Sequence, residues 1–289
     1  MNQQPNFVII GAMKCATSTI HDQLALQPGI FMTELKEPNF FSNDEQYSKG
    51  WEWYSSHFQA ARKTEICGES STHYTKLPTY PNTVERIYKH LPDIKLIYVM
   101  RHPIDRLVSQ YIHEWTLNIL SVDINQAIDS YKELIDYSLY SKQLEPYINT
   151  FGKEKILPIF FERLVSHKQE ELERICNFIG YSQQPTWNLE SDAQNVSKER
   201  MRENRIRDFL VEAPGLKQIR RQLIPKGWRE RAKSLWRMTE KPEIDRQKLA
   251  ELKSIFDEDL STMGSLLGVE LCCDNFKSVV KNQSLNWKN

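Results

Sequence analysis

The sequence predicts an α/β fold, a P-loop-like parallel β-sheet flanked by helices, with a helical C-terminal cover. Through roughly the first 180 residues, short apolar runs alternate with amphipathic stretches, which is typical of parallel strands joined by crossover helices. Beyond Pro185 the strand signal ends and the chain becomes helical and basic. The sequence contains neither a repeat nor a linker. We therefore expect residues 1–289 to form a single domain.

The candidate strands are four short apolar runs. They cover residues 7–10, 65–68, 94–100 and 156–160. The periodicity predicts helices over residues 17–27, 81–90, 103–118, 137–151, 164–179 and 245–267. Pro103 suits the first position of its helix, because the missing N–H of proline costs nothing there. Gly180 is a typical helix end.

The composition is that of a soluble enzyme, with 40% hydrophobic and 26% charged residues. These values exclude disordered, collagen-like and membrane-embedded classes. The 38 basic and 38 acidic residues balance, which argues against a nucleic-acid partner. The segment from Lys198 to Arg237 is locally basic, with thirteen Lys or Arg against five Asp or Glu. It is either a solvated helical face or a basic rim for an anionic ligand.

The cysteines and the first residues indicate the cellular compartment in which we expect the protein. Five scattered cysteines make a poor disulfide framework, which favours a reducing, cytoplasmic location. No CxxC or HxxxH spacing occurs, so we expect no metal site. The opening MNQQPN is polar, and we expect neither a secretory signal nor a membrane span.

The segment NFVIIGAMKCATSTIHDQL, which starts at Asn6, predicts an anion site. A buried strand ending at Gly11, a short loop and a helix starting near Thr17 bring free backbone N–H groups and a helix dipole to one point. Lys14 would add a positive charge there. Further hydroxyl donors would come from Thr17, Ser18 and Thr19.

Two other interpretations of this loop stay open. A P-loop NTPase requires GxxxxGK[ST], whereas Lys14 stands three residues before Thr17. It also requires a strand-end acid for magnesium, whereas the strand IKLIYVM leads into Arg101. A magnesium-dependent, kinase-like enzyme is therefore the weaker alternative. The loop could also be a plain strand-to-helix turn.

GAMKCATST resembles the 5′-phosphosulfate loop of sulfotransferases that use 3′-phosphoadenosine 5′-phosphosulfate (PAPS). The usual form in that family is GxxKxGTT, and Ala16 stands where glycine is customary. The resemblance implies PAPS as the sulfuryl donor and 3′-phosphoadenosine 5′-phosphate (PAP) as the product. It implies that the donor contacts Lys14, Cys15, Ala16, Thr17, Ser18 and Thr19.

LIYVMRHPIDRLVSQYIHEW is similar to the 3′-phosphate segment of the same family. By this resemblance Arg101 and Ser109, eight residues later, bind the 3′-phosphate of the donor. His113 lies one turn beyond Ser109 on the same helical face, so it either faces the site or serves a structural hydrogen bond.

Further segments resemble the heparan sulfate glucosaminyl N- and O-sulfotransferases. KEPNFFSNDEQYSKGWEWYSSHF is similar to the segment that begins at their catalytic glutamate, and GESSTHY stands where they have a short acidic and aromatic loop. ILPIFFERL and the last long helix extend the similarity over most of the chain. The similarity implies a carbohydrate or glycoconjugate acceptor, or else a small metabolite.

The resemblance also implies catalytic roles. Glu37 is the expected general base, with Glu34 as its rival. Lys14 would contact the bridging oxygen of the donor, and Lys36 is a possible anion contact. Asn39 stands where the 3-O-sulfotransferases have histidine, which weakens the assignment of their acceptor.

Other positions match less well. Arg237 and Lys241 stand where the family has a cofactor-binding loop, but the sequence of that loop is not reproduced. Asn195 fits a further position on the cofactor side. Trp187, Trp228 and Trp236 either stack on sugar rings or belong to the core. A non-catalytic nucleotide-binding module also stays open as an alternative. The sequence does not predict the oligomeric state.

Overall fold

The computed structural model describes residues 3–189 and 242–288. In these segments five parallel strands form one sheet in the order β2-β3-β1-β4-β5. The strands are β1 (Phe7–Gly11), β2 (Ile30–Met32), β3 (Ile66–Ser70), β4 (Lys95–Met100) and β5 (Ile156–Phe160). Every residue of β1 and β5 is buried, as expected for a parallel sheet covered on both faces.

Helices connect and cover the strands. In chain order they are α1 (Thr17–Ala25), α2 (Asp44–Ser48), α3 (Gly50–Ser56), α4 (Thr83–His90), α5 (Pro103–Thr116), α6 (Ile124–Ser130), α7 (Glu133–Asp136), α8 (Tyr140–Phe151), α9 (Phe161–Ser166), α10 (Lys168–Ile179), α11 (Arg246–Leu267) and α12 (Phe276–Asn282). Short 3-10 turns cover Thr72–Thr75 and Lys153–Lys155.

The predicted fold class is confirmed. The sheet is parallel, helices flank it, and α11 packs against α5 and α8 as a cover. None of the helices in the two described segments is long and apolar enough to span a bilayer.

Several elements differ from the prediction, and helices α2, α3, α6 and α12 were not predicted. The strand β2 was missed, because its three residues give no periodic signal. The helix predicted over residues 164–179 is two helices, α9 and α10, separated at His167, whose φ of −132° is not helical. The helix predicted from residue 137 begins at Tyr140, after the separate short helix α7.

The strand order determines where a ligand site can lie. All five strands are parallel, so their carboxyl ends lie along one edge of the sheet. The central strand β1 pairs with β3 on one side and β4 on the other. In open parallel sheets, ligands bind outside this edge, in the crevice between connections that leave in opposite directions.

Candidate active site

A cleft of about 1000 Å³ opens at the carboxyl edge of the sheet. It is lined by segments that follow all five strands, and the one after β5 contributes Phe161 and Leu164. The loop after β1 contributes Lys14, the segment after β2 contributes Glu37, the turn after β3 contributes Thr72, and the end of β4 contributes Arg101. The sequence pattern alone did not show that these segments meet.

The loop after β1 and the first turn of α1 form one end of the cleft. Lys14, Ala16, Thr17, Ser18 and Thr19 all line it, as predicted for the anion loop. Ala16 precedes α1 with φ 65° and ψ 25°, the left-handed conformation that favours glycine. The first N–H groups of a helix have no intrahelical acceptor. The geometry therefore suits an anion at this helix start.

Cys15 is placed differently from its neighbours. Its side chain is completely buried, and its backbone N–H donates to the carbonyl of Ala12 at 3.2 Å. Burial raises the pKa of the thiol to about 12, so the group is neutral. Cys15 thus packs beneath the loop and does not line the cleft.

Arg101 connects the anion loop with the start of α5. Its Nη1 donates to the carbonyl of Lys14 at 3.2 Å, and its guanidinium lies 4.5 Å from the centre of the Phe161 ring. The Nε atom is buried and has no hydrogen-bond partner among the described residues. An unsatisfied charged donor beside a cleft fits an anionic ligand, such as a phosphate group.

Helix α5 carries the other predicted binding residues. Ser109 and His113 both line the cleft, one turn apart on the same face. Their neighbour Glu114 also lines it and accepts a hydrogen bond from Gln110 Nε2 at 2.6 Å. Burial raises the pKa of the Glu114 carboxyl.

Glu37 lines the cleft, whereas Glu34 is exposed and does not. Thr72 Oγ1 lies 3.2 Å from each oxygen of the Glu37 carboxylate and donates to it. The neighbouring Lys36 donates from Nζ to Ser18 Oγ, which ties this segment to α1. Burial lowers the pKa of Lys36, although the Glu37 charge opposes this shift.

The aromatic residues after Glu37 form a core cluster that supports this side of the cleft. Phe40 and Phe41 are fully buried, and the Phe40 ring stacks on Tyr54 at 4.8 Å between centroids. The Trp51 ring stacks on His90 at 4.8 Å. The paired phenylalanines and the Gly50–Tyr54 motif thus supply packing.

The sequence reasoning missed Lys76 and His73. Both line the cleft beside Thr72. Burial lowers the pKa of Lys76 to about 8, with the charges of Glu37 and Glu114 acting in the opposite direction. Burial lowers the pKa of His73 to about 4, and its ring stacks on Tyr80 at 5.0 Å. The resemblance singled out GESSTHY, which contains His73, but gave His73 no role, and Lys76 belongs to no periodic element.

Several predicted residues lie outside the described part of the chain. These are Asn195, Arg237, Lys241, Trp228, Trp236 and the basic segment from Lys198 to Arg237. Trp187 is described and is 8% exposed; it packs in the core and borders the cleft. Within the described ranges, no group of three His, Cys, Asp or Glu side chains could hold a metal ion.

The chain resembles curated heparan sulfate enzymes in sequence. It is 29% identical over 191 residues to human heparan sulfate glucosamine 3-O-sulfotransferase 5, covering 62% of this chain and 54% of the relative. It is 31% identical over 187 residues to mouse heparan sulfate glucosamine 3-O-sulfotransferase 3B1, covering 62% and 46%. The chain thus spans about half the length of the curated relatives it matches.

Solved structures show the same fold. A sulfotransferase from Alicyclobacillus acidocaldarius superimposes with a TM-score of 0.65 at 22% identity, covering 93% of this chain and 98% of that one. A mouse sulfotransferase complexed with PAP superimposes with a TM-score of 0.50 at 14% identity, covering 96% and 90%. The family profile described as "Sulfotransferase domain" matches residues 4–264, and the chain therefore belongs to the sulfotransferase domain family.

Proposed function

We propose that the chain transfers the sulfuryl group of PAPS to a hydroxyl or amine of a carbohydrate or glycoconjugate, with Glu37 as general base. The observation that carries the proposal is the shared cleft, in which an anion-binding loop, Arg101 and the Glu37 carboxylate lie at one edge of the sheet. Family membership and the similarity to heparan sulfate glucosamine 3-O-sulfotransferases support the reaction and the class of acceptor.

The cleft residues fit the two anionic ends of PAPS. The 5′-phosphosulfate suits the loop of Lys14 and the first N–H groups of α1, where helix geometry favours negative charge. The 3′-phosphate suits Arg101 and Ser109, because the buried Nε of Arg101 would then gain an acceptor. When bound, PAPS supplies an activated sulfuryl group on a phosphate leaving group.

Glu37, Lys14 and Thr72 then have separate roles in the transfer. Glu37 takes the proton from the attacking hydroxyl as the new S–O bond forms. The S–O bond to the phosphate breaks at the same time, and Lys14 stabilises the negative charge that develops on the departing oxygen. Thr72 holds the Glu37 carboxylate, so that the base is oriented before the acceptor arrives.

A titration with PAP, with and without magnesium, tests the donor part of the proposal. We expect similar binding in both conditions. A chain that fails to bind PAP but binds ATP with magnesium would overturn the proposal in favour of the kinase-like alternative, which the family match does not favour.

Transfer of ³⁵S from labelled PAPS tests the acceptor part. We expect label on heparan sulfate and none on dextran, a neutral polysaccharide, or on p-nitrophenol. Label on p-nitrophenol alone would replace the carbohydrate with a small acceptor. PAP binding without transfer to any acceptor in a broad panel would favour a non-catalytic nucleotide-binding module.

A further inference from the structure

The turn that carries Glu37 has an unfavourable backbone conformation. Glu37 has φ 56° and Asn39 has φ 52°, both in the left-handed region. Such a conformation costs about 1–3 kcal/mol for a residue other than glycine and persists only where surrounding contacts impose it. Contacts around residues 37–39 must therefore hold the turn in place.

These contacts come from consecutive residues at the end of β3. The Glu37 N–H donates to the carbonyl of Ser70 at 3.0 Å. The Asn39 N–H donates to Ser71 Oγ at 3.1 Å, and Thr72 Oγ1 donates to the Glu37 carboxylate. The N–H groups of Glu37 and Asn39 thus fix the two ends of the turn, and among Ser70, Ser71 and Thr72 only Ser71 uses its side chain to bond the backbone of the turn. The carbonyl of Asn39 also accepts from Ser42 Oγ at 3.2 Å and from the Asn43 N–H at 3.0 Å, both within the segment that follows the turn.

Ser71 is itself oriented by a buried carboxyl group. Glu69 and Ser71 are both 0% exposed, and Ser71 Oγ donates to Glu69 Oε2 at 2.9 Å. The other oxygen, Oε1, accepts hydrogen bonds from Tyr74 at 2.8 Å and Tyr54 at 3.2 Å. Three hydroxyl groups donate to this carboxyl group, and the hydroxyl hydrogen of Ser71 is the one that points toward Oε2. The lone pairs of Ser71 Oγ then remain available for the N–H of Asn39.

We propose that Glu69 is a positioning residue that acts through Ser71 to hold Asn39 and thereby direct the Glu37 carboxylate into the cleft. Neither residue lines the cleft, so neither touches donor or acceptor. The inference rests on the proposed function, because it assigns a purpose to the orientation of Glu37. It explains why a carboxyl group is retained in a fully buried place, where an apolar side chain would avoid the cost of desolvation.

The test compares Ser71→Ala with Ser55→Ala. Ser55 is also a buried serine, on α3, and its hydroxyl donates to the carbonyl of Glu52. We expect Ser71→Ala to lower kcat for transfer from PAPS to heparan sulfate tenfold to a hundredfold, the scale for a misplaced catalytic group. The PAP dissociation constant should stay within about twofold. Ser55→Ala should change neither quantity.

Hydrogen exchange of the peptide that contains Asn39 provides a second readout. It should speed up in Ser71→Ala and stay unchanged in Ser55→Ala, while Ser71→Thr, which keeps the hydroxyl, should restore both exchange and kcat. Glu69→Gln should also lower kcat, because its amide donates to Ser71 and leaves the hydroxyl hydrogen without an acceptor. The decrease should be smaller than in Ser71→Ala.

Unchanged exchange around Asn39 in Ser71→Ala would overturn the proposal. So would a loss of kcat that is matched by an equal loss of PAP affinity, since that would indicate general damage to the cleft. If the wild-type chain transfers no sulfuryl group, the exchange measurement still decides whether Ser71 holds the turn, and the missing transfer counts against the proposed function.

Discussion

Arg101 donates from Nη1 to the backbone carbonyl of Lys14, 3.2 Å away, and so joins the end of β4 to the anion loop after β1. The two residues stand 87 positions apart in the chain. One guanidinium can therefore hold the loop and still offer donors to the 3′-phosphate of the proposed donor. Its planar set of five donors allows this, whereas the ammonium group of lysine is a single point of charge.

Replacement of Arg101 should weaken donor binding. We expect Arg101→Ala to lower PAP affinity by about 1–3 kcal/mol, the scale of a lost charged hydrogen bond. Arg101→Lys keeps the positive charge but loses the bond to the Lys14 carbonyl. Its PAP affinity should therefore lie between those of wild type and Arg101→Ala. Calorimetric titration with PAP measures both variants. Equal affinity of wild type and Arg101→Ala would show that the 3′-phosphate does not lie at Arg101.

Glu37→Gln should separate turnover from binding. The amide keeps the size of the side chain but cannot take a proton, so we expect kcat to fall at least a hundredfold, the range of general-base effects. PAP affinity should be unchanged, because Glu37 has no assigned contact with the donor. Glu34→Gln is the matched control, since Glu34 is exposed outside the cleft. Full activity of Glu37→Gln would disprove its role as the base.

Ala16 offers a test of strain in the anion loop. Alanine in the left-handed conformation costs about 1–2 kcal/mol of stability. Glycine avoids this cost but loses more conformational entropy on folding, which offsets part of the gain. We expect Ala16→Gly to be as stable as wild type or more stable, by up to about 1 kcal/mol, with PAP affinity retained. Ala16→Val should be destabilised, because a branched side chain fits this conformation poorly. Urea denaturation measures both, and a clear loss of stability in Ala16→Gly would contradict this account.

The sequence predicts the loop after β1 and the Arg101 segment well, because each is a local pattern of strand, turn and helix start. The approach of Glu37 to that loop came only from the family resemblance. The contributions of Lys76 and Glu69 could not be predicted in the same way. Lys76 follows a 3-10 turn that has no periodic pattern. Glu69 lies in a strand, and its hydrogen-bond partners Tyr54 and Tyr74 come from two other elements. Contacts of this kind depend on how the elements pack.

Lys76→Met should make the chain more stable at neutral pH and less able to use an anionic acceptor. The folded pKa of Lys76, about 8, lies below its ordinary value of 10.5. The unfolded chain therefore binds more protons between these values, and stability rises with pH across this window. At pH 7 the buried charge costs up to about 3 kcal/mol, which Lys76→Met removes.

Denaturation at pH 7 and pH 10 measures this effect, and the advantage of Lys76→Met should shrink at the higher pH. Lys132→Met, at an exposed position, is the control and should show no such difference. We also expect Lys76→Met to raise KM for heparan sulfate more than it weakens PAP binding. An unchanged KM would show that Lys76 does not meet the acceptor.

Glu69 should give the wild-type chain an opposite dependence of stability on pH. Burial raises the pKa of its carboxyl to about 7, from an ordinary value of 4.5. Between these values the folded chain holds the proton that the unfolded chain has released, so stability falls as the pH rises from 4.5 to 7. The loss amounts to up to about 3 kcal/mol and should level off above pH 7.

Glu69→Gln isolates this contribution, because glutamine does not titrate. The difference in unfolding free energy between Glu69→Gln and wild type should therefore grow in favour of the variant from pH 5 to pH 7.5. Urea denaturation at several pH values measures it. A difference that stays constant with pH would mean that Glu69 is ionised throughout this range, and that the three hydroxyl donors outweigh the cost of its burial.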